Sequence, residues 1–382
     1  MKRRQCVAHV VPFVVIGVCA LAMPATADCP ELVGQWQDGP ASDVTVSGDY
    51  AFVGSGSALV IVDVSGPSAA WQVGAVSLRS DVVDIAVEGN YAYVVEGDSL
   101  HVIDVSVPSA PAEAGPIIQS HSDYGCNFQL DSTVAVEGGY VYALEKCIYS
   151  GGESWGVSGV HHIVDVHTPF APVEVGTIDL GGWGSVAVSN GHAYAAGTWC
   201  GCGGELGFCS CAYGFQVFDL SEPSAPVGVG GLQIEGYDWP GWCPCGHAYD
   251  VAFSDGYAYV AQESWAEGFG LRVIDVSDPT APVQVALVET PGEALGVAVS
   301  DGYAYVADGG SGLRVFDVSA PSAPIEVGSY DTPGTAWDVA VAGAYAYVAD
   351  EEAGLEILLS CAALFIDGFE SGDTSAWSAT AP

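Results

Sequence analysis

Residues 301–328 run Asp301-Gly302-Tyr303-Ala304-Tyr305-Val306, then Leu313-Arg314-Val315-Phe316-Asp317-Val318-Ser319, then Ala323-Pro324-Ile325-Glu326-Val327-Gly328. A Val297-Ala298-Val299 strand precedes them, so the unit is a hairpin followed by two further strands. The chain writes this unit seven times. Its aspartate recurs at Asp63, Asp104, Asp165, Asp219, Asp275 and Asp317, and Leu359 takes the seventh place. Uninterrupted copies are 41 or 42 residues apart, the length of a four-stranded propeller blade. The expected fold is all-β, a seven-bladed β-propeller.

Each blade reads as strands A to D. Strand A is Val-Ala-Val, a glycine turn leads to Tyr-Ala-Tyr-Val as B, strand C carries the aspartate, and D is Pro-x-Glu-Val-Gly. The apolar runs are nearly continuous, as in sheets covered on both faces. The seventh copy stops after strand C. Its D strand stands at the other end of the chain, where Pro30-Glu31-Leu32-Val33-Gly34-Gln35-Trp36 aligns with Pro324 to Tyr330. The N-terminal strand therefore completes the last blade and closes the ring, which removes open sheet edges. On this alignment Cys29 replaces Ala323 and Cys361 replaces Ser319, positions that flank one short turn. A Cys29–Cys361 disulfide across the closure is expected.

Residues 1–27 read as an export signal: Lys2-Arg3-Arg4, an apolar stretch from Val10 to Leu21, and Ala25-Thr26-Ala27 as a cleavage site. No segment reaches the ~20 apolar residues of a membrane span. The propeller occupies residues 28–361, and residues 362–382 form a tail. The protein is expected to be secreted, periplasmic or held at the cell surface, and to act as a monomer. Beyond the signal only Arg79, Lys146, Arg272 and Arg314 oppose 47 acidic residues, a formal net charge of about −43. Such a surface repels nucleic acid and attracts cations or basic partners.

The long insertions share one face of the disc, because D–A and B–C connections emerge on the same side of a propeller. They carry Cys126 and Cys147 with Trp155 in blade 3, and Trp199-Cys200-Gly201-Cys202 with Cys209-Ser210-Cys211 in blade 4. Tyr237-Asp238-Trp239-Pro240-Gly241-Trp242-Cys243-Pro244-Cys245-Gly246-His247 stands before blade 5. In an oxidising compartment these cysteines read as disulfides that pin loops, with Cys126–Cys147 one pair and the other six open to 15 pairings. The Cys-x-Cys spacing differs from that of zinc knuckles, although thiolates could hold a soft metal. Trp155, Trp183, Trp199, Tyr237, Trp239 and Trp242 fall on or near this face. They could stack on sugars, grip a protein, or form a small core beneath the loops.

A second constellation marks the start of strand A. Asp43, Asp84, Asp250 and Asp338 occupy one repeat position, with Thr133, Ser185 and Gly296 in the other three. Strand A is innermost, so these residues ring one mouth of the central channel. Four carboxylates could hold a hard cation such as Ca2+, or each could accept a backbone N–H at a blade junction. Nothing else in the sequence requires a cofactor. His247 is the histidine best placed for a site, beside Asp250. The strand C aspartates read as structural, bonding to the turn that follows. Gly152-Glu153-Ser154-Trp155-Gly156 has the form of a hydrolase elbow but lacks the strand–turn–helix setting that motif needs. His161 and His162 lie in strand C of blade 3, where packing is their reading.

Leu59-Val60-Ile61-Val62-Asp63 and its variants Leu100-His101-Val102-Ile103-Asp104, Leu271-Arg272-Val273-Ile274-Asp275 and Leu313-Arg314-Val315-Phe316-Asp317 resemble the LVIVD repeat family over roughly residues 30–360. Blades 3 and 4 depart furthest from it. The resemblance implies an exported bacterial or archaeal propeller and supplies no catalytic residues. The tail from Phe365 to Ser378 resembles a short C-terminal segment of diverse exported bacterial proteins, a sorting or attachment tag. The leading expectation is a non-catalytic binding or adhesion module that meets a protein or glycan at the cell surface through its cysteine- and tryptophan-rich face. The alternatives are a metal-dependent hydrolase at the channel mouth and a structural envelope component.

Overall fold

The computed structural model describes residues 29–361 apart from 98, 116–117, 120–132, 152–153, 180–182, 204–207, 241–245 and 265–267. The expected signal segment and tail therefore lie outside the described residues, as do Cys126, Trp242, Cys243 and Cys245. Seven antiparallel blades stand around a ring of inner A strands: Asp43–Ser47, Val82–Glu88, Val134–Glu137, Trp183–Ser189, His247–Ser254, Gly296–Ser300 and Asp338–Ala342. Each A strand contacts the A strands of both neighbouring blades, and the last contacts the first. The seventh blade takes Glu31–Trp36 as its outer strand, with Glu31 opposite Leu359 and Trp36 opposite Leu355.

The core is divided among the blade interfaces. Seven apolar clusters each join two adjacent blades. The cluster between blades 7 and 1 packs Ile357 and Leu355 against Val44, Val53 and Val62. Strands B and C are therefore apolar on both faces, which accounts for the continuous Val, Ala and Ile runs.

Three repeated features of the sequence acquire physical causes. In strand C, Oδ1 of Asp63, Asp104, Asp165, Asp219, Asp275 and Asp317 accepts the N–H two residues on, at 2.8–3.0 Å. The aspartate fixes the C–D turn, as expected. The glycine of strand D leaves room for the next blade's C–D turn. A Cβ on Gly74 would lie 2.1 Å from the Pro108 carbonyl oxygen, and one on Gly230 would lie 2.0 Å from that of Pro279. At the closure, Cys29 O takes the proline's place over Gly328. Gly230→Val is expected to destabilise by about 1–3 kcal/mol in urea denaturation, because the backbone of blade 5 must move to admit it. A neutral result would contradict this close packing.

The Glu of Pro-x-Glu is the third. It pairs with the residue three before the strand C aspartate: His101 with Glu113 (3.0 Å), His162 with Glu174 (3.2 Å) and Arg314 with Glu326 (3.2 Å). Blade 5 substitutes Arg272 with Gln284, whereas blade 7 has Leu32 at the glutamate position and Glu356 accepts instead from Gln35 directly opposite (3.0 Å). His161 is wholly buried beside His162, and burial holds its imidazole neutral, with a pKa lowered to about 3. Both histidines thus belong to blade packing.

The insertions of blades 3 and 4 differ from expectation. They are not loops. Strands B and C lengthen to 12 residues each, Tyr140–Gly151 with Ser154–Asp165 and His192–Gly203 with Phe208–Asp219. Tyr237 and Trp239 likewise belong to strand D of blade 4, Val227–Pro240, rather than to the connection after it. Once a hairpin has begun, pairing continues wherever each backbone N–H and C=O finds a partner, so the Gly- and Cys-rich segments extend the ladder. Ser154, Trp155 and Gly156 of the Gly-x-Ser-x-Gly match open strand C of the first hairpin, not the helix a nucleophile elbow requires after its serine.

Candidate functional site

The start of every A strand lies at the same end of the blade as the B–C hairpin, as the pairing of Asp43 with Gly54 and of Gly296 with Ala307 shows. The channel mouth and the two long hairpins therefore share one face. Above it, strand C of blade 3 pairs with strand B of blade 4, setting Trp155 opposite Cys202 and Val157 opposite Cys200. Across the next ladders Cys202 faces Cys209, Cys200 faces Cys211, Cys209 faces Trp239 and Cys211 faces Tyr237. Trp199 adjoins Cys200 in the same strand. The paired positions, scattered over 85 positions of sequence from 155 to 239, form two rungs of one sheet, separated by the single rung Gly156–Gly201–Ser210–Asp238. Cys147 lies in strand B of blade 3, opposite Ser158.

The mouth opens into a cavity of ≈330 Å³ lined by Asp43, Asp84, Asp250, Asp338, His247 and Tyr249, with Thr133, Gly184 and Trp337 among the other walls. All four aspartates singled out from the sequence meet there, with His247, and Trp183 begins the strand that supplies Gly184. The His247 and Tyr249 rings are 4.4 Å apart, and Tyr249 Oη donates to Glu263 (3.2 Å).

Three of the aspartates bind the next blade. Asp338 Oδ2 accepts Val44 N–H (3.0 Å), Asp84 Oδ2 accepts Val134 N–H (2.6 Å), and Asp250 Oδ2 accepts Val297 N–H (2.8 Å). Asp43 does not follow. Its counterpart donor, Ile85 N–H, is taken by Asp84 Oδ1 (2.7 Å), where a register shift between Val82 and Asp84 turns the strand. Burial, followed by repulsion from Asp84 and Asp338, holds the Asp43 carboxyl well above the usual range. Burial also lifts Asp84 to about 8 and Asp250 to about 7, and raises Asp338. Among the described residues, no group of three or more His, Cys, Asp or Glu side chains is arranged to hold a metal ion.

Sequence reasoning missed two groups of residues here. Trp337 and Tyr249 precede repeated aspartates directly, and that adjacency would have placed them at the mouth. The acids at the ends of strand B were also missed. Asp308 accepts Gly292 N–H, Asp350 accepts Gly334 N–H, and Glu96 accepts the N–H groups of Arg79 and Ser80. All three are buried and fasten the D–A connections on the mouth face. Glu96 also binds His101 Nε2 (2.8 Å).

The LVIVD repeat model matches residues 38–77, 80–117, 245–290, 291–332 and 333–358, half of the chain. The protein belongs to the LVIVD repeat family. The matched segments are blades 1, 2, 5, 6 and 7, so the two blades that carry the long hairpins are the ones outside the family pattern. No curated protein matches the chain. Among solved structures, the chain is similar to the WD40 β-propeller domain of Doa1, with 9% identity and a TM-score of 0.55 over 87% of this chain and 97% of that one. It is similar to the Neurospora crassa Pan2 WD40 domain, with 12% identity and a TM-score of 0.52 over 85% and 90%. The computationally designed Ika8 protein gives 9% identity and a TM-score of 0.52 over 86% and 99%. At these identities the likeness concerns the propeller fold alone. Among the described residues, no helix of this LVIVD protein is long and apolar enough to cross a membrane.

Proposed function

We propose that this LVIVD propeller is an exported, non-catalytic binding module whose ligand surface is the mouth face. The observation that carries the reading is the extra sheet over blades 3 and 4. It places Trp155 and Trp239 on one rung of a continuous ladder and Tyr237 two rungs away, on the mouth face and on the blades that depart from the family repeat. Aromatic side chains on a rigid ladder suit a glycan ring or an apolar protein patch, because they contribute large contact area at small entropic cost. The register sets Cys200 opposite Cys211 and Cys202 opposite Cys209, so Cys200–Cys211 and Cys202–Cys209 are the disulfides we expect to reinforce that ladder. Directly opposed residues of antiparallel strands have Cα atoms about 4.5–5.5 Å apart, within disulfide range. Non-reducing peptide mapping is expected to return these two bonds; any crossed pairing counts against this register.

The function is tested by titrating the mature protein onto a glycan array and onto isolated bacterial cell-envelope fractions, beside a Trp155→Ala/Trp239→Ala variant. Saturable binding is expected, weakened about tenfold or more in the variant, as for loss of aromatic anchors. Binding that is indifferent to both substitutions, or ligand consumed with turnover, would overturn the reading.

A further inference from the structure

Blade geometry leaves one carboxylate of the mouth over. Asp338, Asp84 and Asp250 each serve a neighbouring blade, whereas Asp43 has lost its donor to Asp84. Asp43 is only 7% exposed, its Oδ2 is buried without a hydrogen-bond partner, and it lines the cavity. Thr133 Oγ1, at the same place in blade 3, is also unpartnered. A buried carboxylate without a donor is strongly disfavoured. It takes up a proton, which Asp43 can share with Asp338, or it faces a cation. At the rim stands Trp337, an aromatic left 44% exposed. Among the described residues, no lysine or arginine lines the cavity.

We propose that the mouth binds an organic monocation, the ammonium or guanidinium end of a basic side chain or small amine, with Asp43 and Asp338 accepting its N–H groups and Trp337 covering it. This builds on the reading of the mouth face as the binding face and names its ligand class. A bare metal ion fits less well, because three of the carboxylates are drawn sideways onto backbone N–H groups and, among the described residues, no three acids are arranged to hold one. An N–H donor needs only one or two acceptors, and an aromatic face attracts it without ligand geometry. The titratable groups facing the site are Asp43, Asp84, Asp250, Asp338, His247 and Tyr249. Their raised carboxyls release protons as a cation enters, so affinity rises with pH.

Isothermal titration of the mature protein with n-butylguanidinium and n-butylammonium tests this, with n-butanol as the neutral control and calcium chloride as the metal arm, at about pH 6 and pH 8.5. The expected result is saturable binding of the cations, tighter by about tenfold at the higher pH, and none of butanol. Asp43→Asn is expected to lose the cations about tenfold or more, and Trp337→Ala, at an exposed position, about two- to fivefold. Absence of cation binding to the wild type, equal binding by both variants, or a calcium isotherm without a cation isotherm would each overturn the proposal. None of these results bears on the tryptophan ladder, which is read on glycans and envelope fractions.

Discussion

A Cys29→Ser/Cys361→Ser variant is expected to unfold at a clearly lower urea concentration than the wild type, with a loss of up to about 5–6 kcal/mol. The bond joins residues 332 apart with Cα atoms at 5.3 Å, so it closes nearly the whole domain into one loop. Loop-closure entropy grows with the logarithm of that length, and residual structure in the unfolded chain makes the figure an upper one. The native state also loses packing, since both cysteines lie in the cluster between blades 6 and 7. Strand pairing from Glu31 to Trp36 remains, so the variant is expected to fold but to release its N-terminal strand more readily. Limited proteolysis should then cut first within residues 29–36. An unchanged urea midpoint and an intact N-terminal strand would contradict the role of the bond as the closure.

The second large effect is on pH. Asp84 titrates at about 8 and Asp250 and Glu356 at about 7 in the folded protein. Burial is the main cause for all three, with Asp350 adding to it at Glu356. Ordinary carboxyls titrate near 4 in an unfolded chain. Below about pH 4 both states hold these protons and no stability is lost. Between about pH 4 and pH 8 the native state retains protons that the unfolded state has released, so stability falls as pH rises through the folded pKa values, and levels off above them. The surface aspartates of strand C act oppositely. The Ser106 and Ser277 side chains, then the turn N–H groups, hold Asp104 and Asp275 below the usual range, and the His167 N–H does so for Asp165; their contribution is lost only in acid. The melting temperature is therefore expected to peak in mild acid and to drop on the order of 5–10 °C by pH 8. Asp43→Asn removes one buried acid from the ring, so it should flatten the slope and melt above the wild type at pH 8. A melting temperature that climbs steadily from pH 5 to pH 8 would contradict the buried, proton-holding ring.

Much of this was legible in the sequence because the blade is a repeat. The spacing of Asp63, Asp104, Asp275 and Asp317 gave the blade count, and the displaced Pro30–Trp36 segment gave both the closure and its disulfide. Alignment of Asp43, Asp84, Asp250 and Asp338 located the mouth, since equivalent positions in a ring meet at its axis. What the repeat could not show is how copies differ. That Asp43, of the four, lacks a backbone donor from the next blade depends on the register shift in blade 2, which no residue type announces. The hairpins of blades 3 and 4 carry Gly and Cys where strands ordinarily alternate, so composition argued for loops while backbone pairing extended the sheet. The pairing of His101 with Glu113 and of Arg314 with Glu326 was visible in principle, because a histidine or arginine and a glutamate stand twelve residues apart in blades 2, 3 and 6.

The most direct test of the central claim, that ligand meets the mouth face, is hydrogen–deuterium exchange of the mature protein with and without saturating bound glycan or envelope ligand. Protection is expected in residues 42–45, 83–85, 247–250 and 337–340 and in the hairpins around 155 and 200–211. The C–D turns at residues 64–70, 105–111 and 276–282 on the opposite face should exchange unchanged. Protection confined to those turns or to the outer D strands would place the ligand elsewhere and contradict the account.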